Sequence, residues 1–246
     1  MIARKNLRKE YVQADVGFTG ANFAVAETGM ISVTENEGNS RLSASLPKIM
    51  ITLIGIEKVV PRMQDLSLLL PMLATVGAAQ SITCYNTFYS GPRQPDECDG
   101  PKEYHVILLD NGRSRLAKDN TFREILRCIR CGSCINVCPI YRNVGGHAYN
   151  ATYPGPIGSV LMPRLIDLQA YKHLAFACSL CGACRDMCPV KIDLPLLLLK
   201  NREDASTTQP KFFEKLAFKA MSLLFNKPLF WKWGKRMGWI VQKFHP

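Results

Sequence analysis

No apolar stretch in this sequence approaches the roughly 18 residues of a membrane-spanning helix. The longest candidates, around Ile49–Ile56 and Leu194–Leu199, are the size of core elements. The first residues carry no apolar segment ending in a small-residue cleavage site, so no secretory signal is read and a reducing cytoplasm is the expected compartment. There is no G-x-G-x-x-G and no P-loop, which leaves no nucleotide fingerprint. Nor can a Ser-His-Asp or paired-carboxylate arrangement be argued from spacing. The chain does have 246 residues, 47% apolar and 21% charged. That is an ordinary globular composition, with room for one or two domains rather than a disordered or fibrous chain.

Acidic residues are scarce only at the C-terminus. The net charge is +11, yet residues 1–118 hold 13 basic and 12 acidic residues, while the last 41 hold eight basic and one acidic. A nucleic-acid interface would need a basic groove lined by stacking aromatics, and a nearly neutral folded part argues against one.

Residues 1–118 read as mixed α and β. Arg4–Gln13 has a helical pattern, and short β-type runs follow at Met30–Thr34, Arg41–Leu46 and Ile49–Ile54. Glu35–Asn39 between the first two predicts a hairpin turn. A helix is expected over Arg62–Leu70, and further strands over Ser81–Tyr89 and Tyr104–Asp110. Residues 119–205 turn helical with cysteine-rich interruptions, and 206–246 form a basic amphipathic extension. The fold class is therefore α+β.

Ten cysteines in a reducing compartment point to metal or redox chemistry before disulfides. Cys128, Cys131, Cys134 and Cys138 read C-x2-C-x2-C-x3-C followed by Pro139. Cys178, Cys181, Cys184 and Cys188 repeat that spacing 50 residues on, followed by Pro189. This matches the bacterial two-cluster ferredoxin run, in which the cysteine before proline ligates the other cluster. Cys128, Cys131, Cys134 and Cys188 are accordingly assigned to one [4Fe-4S] cluster, and Cys178, Cys181, Cys184 and Cys138 to a second. Zinc, which usually takes two separated pairs, does not account for the third cysteine or the terminal Cys-Pro.

Other polar residues carry weaker signals. Cys84 and Cys98 stand alone and read as small hydrophobes. His105 and His147 read as structural. Asn22 and Glu27, beside Gly17, Gly20 and Gly29, interrupt an apolar stretch and are the candidate substrate-binding residues, against a plainer reading as a Gly-rich turn. In the extension, Phe212, Leu216, Ala220 and Leu223 recur at helical intervals beside Lys211, Lys215 and Lys219. A second such stretch begins at Pro228, and all three tryptophans lie beyond it. Docking onto the chain's own body or a partner subunit is preferred over peripheral contact with the inner face of a membrane.

Four motifs together, Gly17–Gly29 (GFTGANFAVAETG), Leu108–Ser114 (LLDNGRS), the double cysteine run and Tyr153–Gly158 (YPGPIG), closely resemble the lactate utilization protein B family. That family is the iron–sulfur component of a bacterial L-lactate oxidation system. The resemblance implies a NagB/RpiA/CoA-transferase-like α/β domain before a helical two-cluster ferredoxin module. It also implies two partner subunits that take part in oxidising lactate to pyruvate, with a downstream acceptor the sequence does not identify. Family members are nearly twice this length, so residues 1–118 are expected to be part of an α/β domain, with an open sheet edge and exposed apolar surface.

Overall fold

The structure is a computed structural model that describes residues 2–208, 212–226, 231–232, 234–235 and 239. Two compact units emerge, Met1–Asn201 and Arg202–Pro246.

The first unit begins with helix α1 (Ile2–Gln13), strands β1 (Val16–Gly20), β2 (Phe23–Val25) and β3 (Ile31–Glu35), helix α2 (Asn39–Ser45) and strand β4 (Ile49–Gly55). It continues through β5 (Val59–Val60), α3 (Leu66–Met72), β6 (Tyr85–Tyr89) and β7 (Glu103–Leu109). The strands form two sheets. One is parallel throughout, in the order β1-β4-β7, with Phe18 opposite Ile51 and Ile51 opposite His105. The other has the order β5-β2-β3-β6 and mixes parallel and antiparallel pairs.

Alternation along β4 sends Met50, Thr52 and Ile54 into the core and leaves Leu53 exposed, the period-2 pattern of a half-buried strand. Strands β1 and β7 are the open edges, with Phe18, Ile107 and Leu108 exposed, and α1 buries none of its side chains. The exposed apolar surface expected of the α/β segment lies there.

The expected hairpin does not form. Residues 41–46, expected to be a strand, lie mostly in α2, and β3 pairs instead with β2 and β6. The reason is local. Gly38 takes a left-handed conformation at φ 80°, and the Glu35 carboxylate accepts hydrogen bonds from the amides of Ser40 (2.7 Å) and Arg41 (2.8 Å). A carboxylate on the free amides of a first turn offsets the weak helix preference of the segment.

From Arg113 the first unit is helical: α4 (Arg113–Ala117), α5 (Ser133–Asn136), α6 (Pro139–Val144), α7 (Gly155–Leu165), α8 (Leu168–Phe176), α9 (Ala183–Asp186) and the start of α10 (Leu194–Thr208), which runs on past the unit's last residue, Asn201. Helix α7 is buried almost all round, as an apolar central helix must be. Its core includes Val160 and Leu161 with Ile125, Leu197 and Leu198. Asn201 fixes this helix through polar contacts: its amide donates to the Val160 carbonyl (3.1 Å) and its oxygen accepts from Arg164 Nε (2.6 Å). Gly158 is the point of closest approach, since a Cβ there would sit 1.6 Å from the Tyr153 carbonyl oxygen. Gly158→Ala is therefore expected to destabilise the chain by about 1–3 kcal/mol, read as a lower denaturation midpoint. An unchanged midpoint would mean that the Tyr153 turn gives way without cost.

In the second unit, helix α11 (Phe212–Asn226) matches the first amphipathic stretch, with Leu216 and Leu223 exposed. In the stretch expected from Pro228, the residues of the apolar face, Phe230, Trp233, Met237, Ile240, Val241 and Phe244, lie outside the described residues. No helix among the described residues is long and apolar enough to cross a membrane.

Candidate metal centre

The two cysteine repeats fold alike. Arg130 and Leu180, each two residues after the first cysteine of its set, are left-handed at φ 63° and 57°. Gly132 and Gly182 follow at 81° and 86°, then the short helices α5 and α9 begin. A left-handed backbone costs a side-chain-bearing residue roughly 1–2 kcal/mol, so its recurrence at matched positions marks a conformation the loop requires. The curl turns amides toward sulfur. The Leu180 amide donates to Cys178 Sγ at 3.3 Å, and the Arg130 amide stands in the same relation to Cys128. Cysteines before proline are served from further along: Tyr141 donates to Cys138 Sγ and Ile192 to Cys188 Sγ, both at 3.4 Å.

Two cavities sort the eight thiols. The larger, about 440 Å³, has Cys128, Cys131, Cys134 and Cys188 in its wall. A narrower cleft is lined by Cys178, Cys181, Cys184 and Cys138, with Ile140, Leu180 and three prolines and no charged side chain. Each wall thus takes three thiols from one motif and the fourth from the other. Among the described residues, no three Cys, His, Asp or Glu groups converge tightly enough for a single metal ion. The thiols line walls rather than meet at a point, as ligands at the corners of a multi-iron group would.

Three of these thiols resist ionisation by themselves. Burial pushes Cys134 up to about 12 and Cys184 up to about 11, with neighbouring sulfurs adding to the effect, and burial raises Cys128 too. A bare thiolate is costly in such surroundings, whereas bound metal ions supply the compensating charge. The donor set, its grouping and the sulfur-directed amides fit iron–sulfur clusters.

The larger cavity lies at the carboxyl ends of the parallel strands, lined by Gly20, Leu53–Gly55 and Leu109 as well as by the first cysteine loop. Charged groups that sequence reasoning missed occupy the junction. The Glu57 carboxylate meets Arg113 Nε at 2.6 Å and Arg130 Nη2 at 3.4 Å. Arg113 also donates to the Asp110 carbonyl (3.0 Å) and the Tyr153 hydroxyl (3.3 Å), while Arg130 stacks on the Tyr153 ring at 4.0 Å. Lys58 donates to the Cys128 carbonyl, and burial lowers its pKa to about 8, the nearby Arg130 and Arg113 adding to this against Cys128 and Glu57. Arg113 and Tyr153 sit inside two of the motifs that carried the family resemblance, the one sequence signal that could have singled them out.

The candidate substrate residues lie elsewhere. Asn22 Oδ1 accepts from the Thr34 amide (2.8 Å) and Glu27 Oε2 from the Met63 amide (3.1 Å). Both are thereby engaged in bracing backbone, and neither lines the two cavities above. Cys84 and Cys98 are exposed and also lie outside both. His105 stands on the edge strand β7, 3.4 Å from Glu103.

Residues 1–109 match the LUD domain, and residues 124–192 match the 4Fe-4S dicluster domain. A mixed α/β region joined to an iron–sulfur dicluster region is the class of protein so defined. The chain is 49% identical over 238 residues to lactate utilization protein B of Bacillus velezensis, covering 96% of this chain and 50% of that protein. The corresponding protein of Bacillus subtilis is 46% identical over the same length and the same shares. That of Macrococcus caseolyticus is 51% identical over 202 residues, covering 82% and 42%. Over 96% of its length the chain is similar to lactate utilization protein B, and it spans about half the length of the curated relatives it matches. Among solved structures, a DUF162 family protein from Deinococcus radiodurans aligns at 22% identity with a TM-score of 0.31, covering 41% of this chain and 56% of that one. A likeness that low carries no argument.

Proposed function

We propose that this chain is an iron–sulfur electron-transfer component of a system oxidising L-lactate to pyruvate, holding two [4Fe-4S] clusters. The ligands are Cys128, Cys131, Cys134 and Cys188 for the first, and Cys178, Cys181, Cys184 and Cys138 for the second. The observation that carries this reading is the exchange of fourth thiols between the two cavity walls, which repeats the ligand pattern of two-cluster ferredoxins. The relatives' name supports the lactate assignment. When bound, each cluster takes up and releases one electron.

The chain's own residues do the rest. Left-handed turns at Arg130 and Leu180 aim amides at sulfur, which stabilises negative charge there. Helix α7 lines both cavities, with Ile157 in the first and Pro156 in the second, and supplies apolar surface to each. The α/β part is read as a portion of a NagB/RpiA/CoA-transferase-like domain. Other subunits of the lactate-oxidising system are its partners, and the basic extension over 206–246 is read as a docking element for one of them.

Electron paramagnetic resonance on the anaerobically isolated native complex tests this, with spectra taken before and after L-lactate is added. New reduced-cluster signals are expected on addition. Silence with lactate but full reduction by dithionite would sink the lactate assignment and leave a carrier with another donor.

A further inference from the structure

The two cysteine loops share a backbone and differ in cover. Each residue of the first has its counterpart 50 positions on in the second, so their surroundings compare position by position. None of residues 128–135 is exposed. Ile129 packs into a core with Leu66 and Leu73, the Ser133 hydroxyl donates to the Val76 carbonyl (2.7 Å), and the Cys131 carbonyl oxygen lies 2.9 Å from where a Cβ on Gly77 would stand. The second loop is open at the matching positions. Ser179 and Cys181, the counterparts of Ile129 and Cys131, are exposed, and so is Arg185, where the first loop has the half-buried Ile135. Cys181 is the one exposed thiol of the eight proposed ligands. Apolar side chains flank this opening. Phe176 ends α8, Met187 follows α9, and Leu196 stands next to Pro195 of the cleft wall; each is about half exposed.

We propose that the open side of the second loop, Ser179–Cys181 with the flanking Met187 and Leu196, is the docking surface for a protein subunit carrying a one-electron redox centre. Electrons enter or leave the chain there, through the second cluster. This placement rests on the iron–sulfur reading and adds where the relay meets its partner. The α/β region already closes over the first loop, whereas the second keeps a ligand thiol at the surface, so a redox centre is the group that gains from approaching it. The apolar flank fits a protein rather than a small charged carrier, because a subunit buries Phe176, Met187 and Leu196 and a hydrated ion does not. The charges beside it nearly cancel, with Arg185 lying 3.8 Å from Asp186 and 3.5 Å from Asp193, so the contact draws on burial more than on steering. In the transfer one electron passes between the partner's centre and the cluster, one being oxidised as the other is reduced, and no bond is made or broken.

Electron paramagnetic resonance with a neutral, water-soluble nickel chelate as relaxing agent reads the access to each cluster. Dithionite-reduced samples of the cluster-loaded full chain and of the anaerobically isolated native complex are compared with and without the chelate. In the chain alone, it is expected to relax the signal that changes in Cys181→Ala and to spare the one that changes in Cys131→Ala. In the complex that sensitivity should disappear. Ser179→Trp and Leu196→Glu alter the surface without touching a thiol. Each should weaken association with the partner subunits at least about tenfold with iron content unchanged, the effect of one central interface residue. Ile82→Glu, at an exposed apolar position of the α/β region, should not. Equal access to both clusters in the chain alone overturns the proposal. So does a second cluster that the chelate still reaches in the complex, which would leave the loop to a small soluble electron acceptor. Association that neither surface variant weakens while iron is retained overturns it as well, and shielding in a chain that is already dimeric alone puts a second copy on this face instead. All of these leave the clusters standing, whereas a chain that takes up no iron sinks the iron–sulfur reading itself.

Discussion

Replacing Cys188 by alanine is expected to remove the first cluster, not the one whose motif it belongs to. Iron and acid-labile sulfide should fall by about half, because one four-iron group in two is lost. The structural ground is that Cys188 stands in the wall with Cys128, Cys131 and Cys134, while Cys138 stands with Cys178, Cys181 and Cys184. Double variants make the pairing explicit. If Cys131 and Cys188 serve one cluster, Cys131→Ala adds nothing to Cys188→Ala, and the double variant keeps half the iron. Combining Cys181→Ala with Cys188→Ala should instead leave almost none. Residues that act as one unit are non-additive in this way, whereas independent ones add. The opposite result, with the 181/188 pair retaining half the iron and the 131/188 pair retaining none, would show that each motif closes its own cluster. The proposal of exchanged ligands would then fall.

The cysteine spacing was legible because cluster ligation is a local code: three thiols within seven residues and a proline after the fourth set the chain's direction before any packing is known. The paired left-handed turns at Arg130 and Leu180 were not legible, since neither residue type announces positive φ. In the α/β region, helix α1 and strands β3, β4, β6 and β7 follow from periodicity. Residues 41–46 did not, because their β-like pattern is overridden by two hydrogen bonds that the Ser40 and Arg41 amides donate to Glu35, a contact between a strand end and a helix start that composition does not encode. Charge was the largest omission. Glu57, Arg113 and Arg130 lie 17 to 73 positions apart and meet only because β4, α4 and the first cysteine loop converge on one cavity. Asn22 and Glu27 attracted notice as polar residues in an apolar stretch, and each meets a backbone amide there. A polar residue amid apolar ones signals a satisfied partner as readily as a ligand.

Glu57→Gln is expected to be the most destabilising single change outside the cysteines. Glu57 follows β4, Arg113 opens α4, and Arg130 belongs to the first cysteine loop, so one carboxylate ties the α/β region to the cluster region. The Glu57 and Arg113 side chains are 5% and 4% exposed. At that depth the Arg113 guanidinium left without its counter-charge costs about 3–5 kcal/mol, since neither water nor salt reaches it, while Arg130, 26% exposed, adds less. The exposed pair of Lys48 and Asp15 provides the contrast. Its geometry is comparable at 3.0 Å, but both side chains are more than 70% exposed. Asp15→Asn should therefore change stability by less than about 1 kcal/mol. Urea unfolding of the cluster-loaded chain separates the two, with a large drop in midpoint for Glu57→Gln and almost none for Asp15→Asn at similar slopes. Equal midpoints for the two variants would mean that the junction carries no more than a surface ion pair does. The carboxylate would then be free to move aside, and the cavity would lose its fixed arrangement of charge.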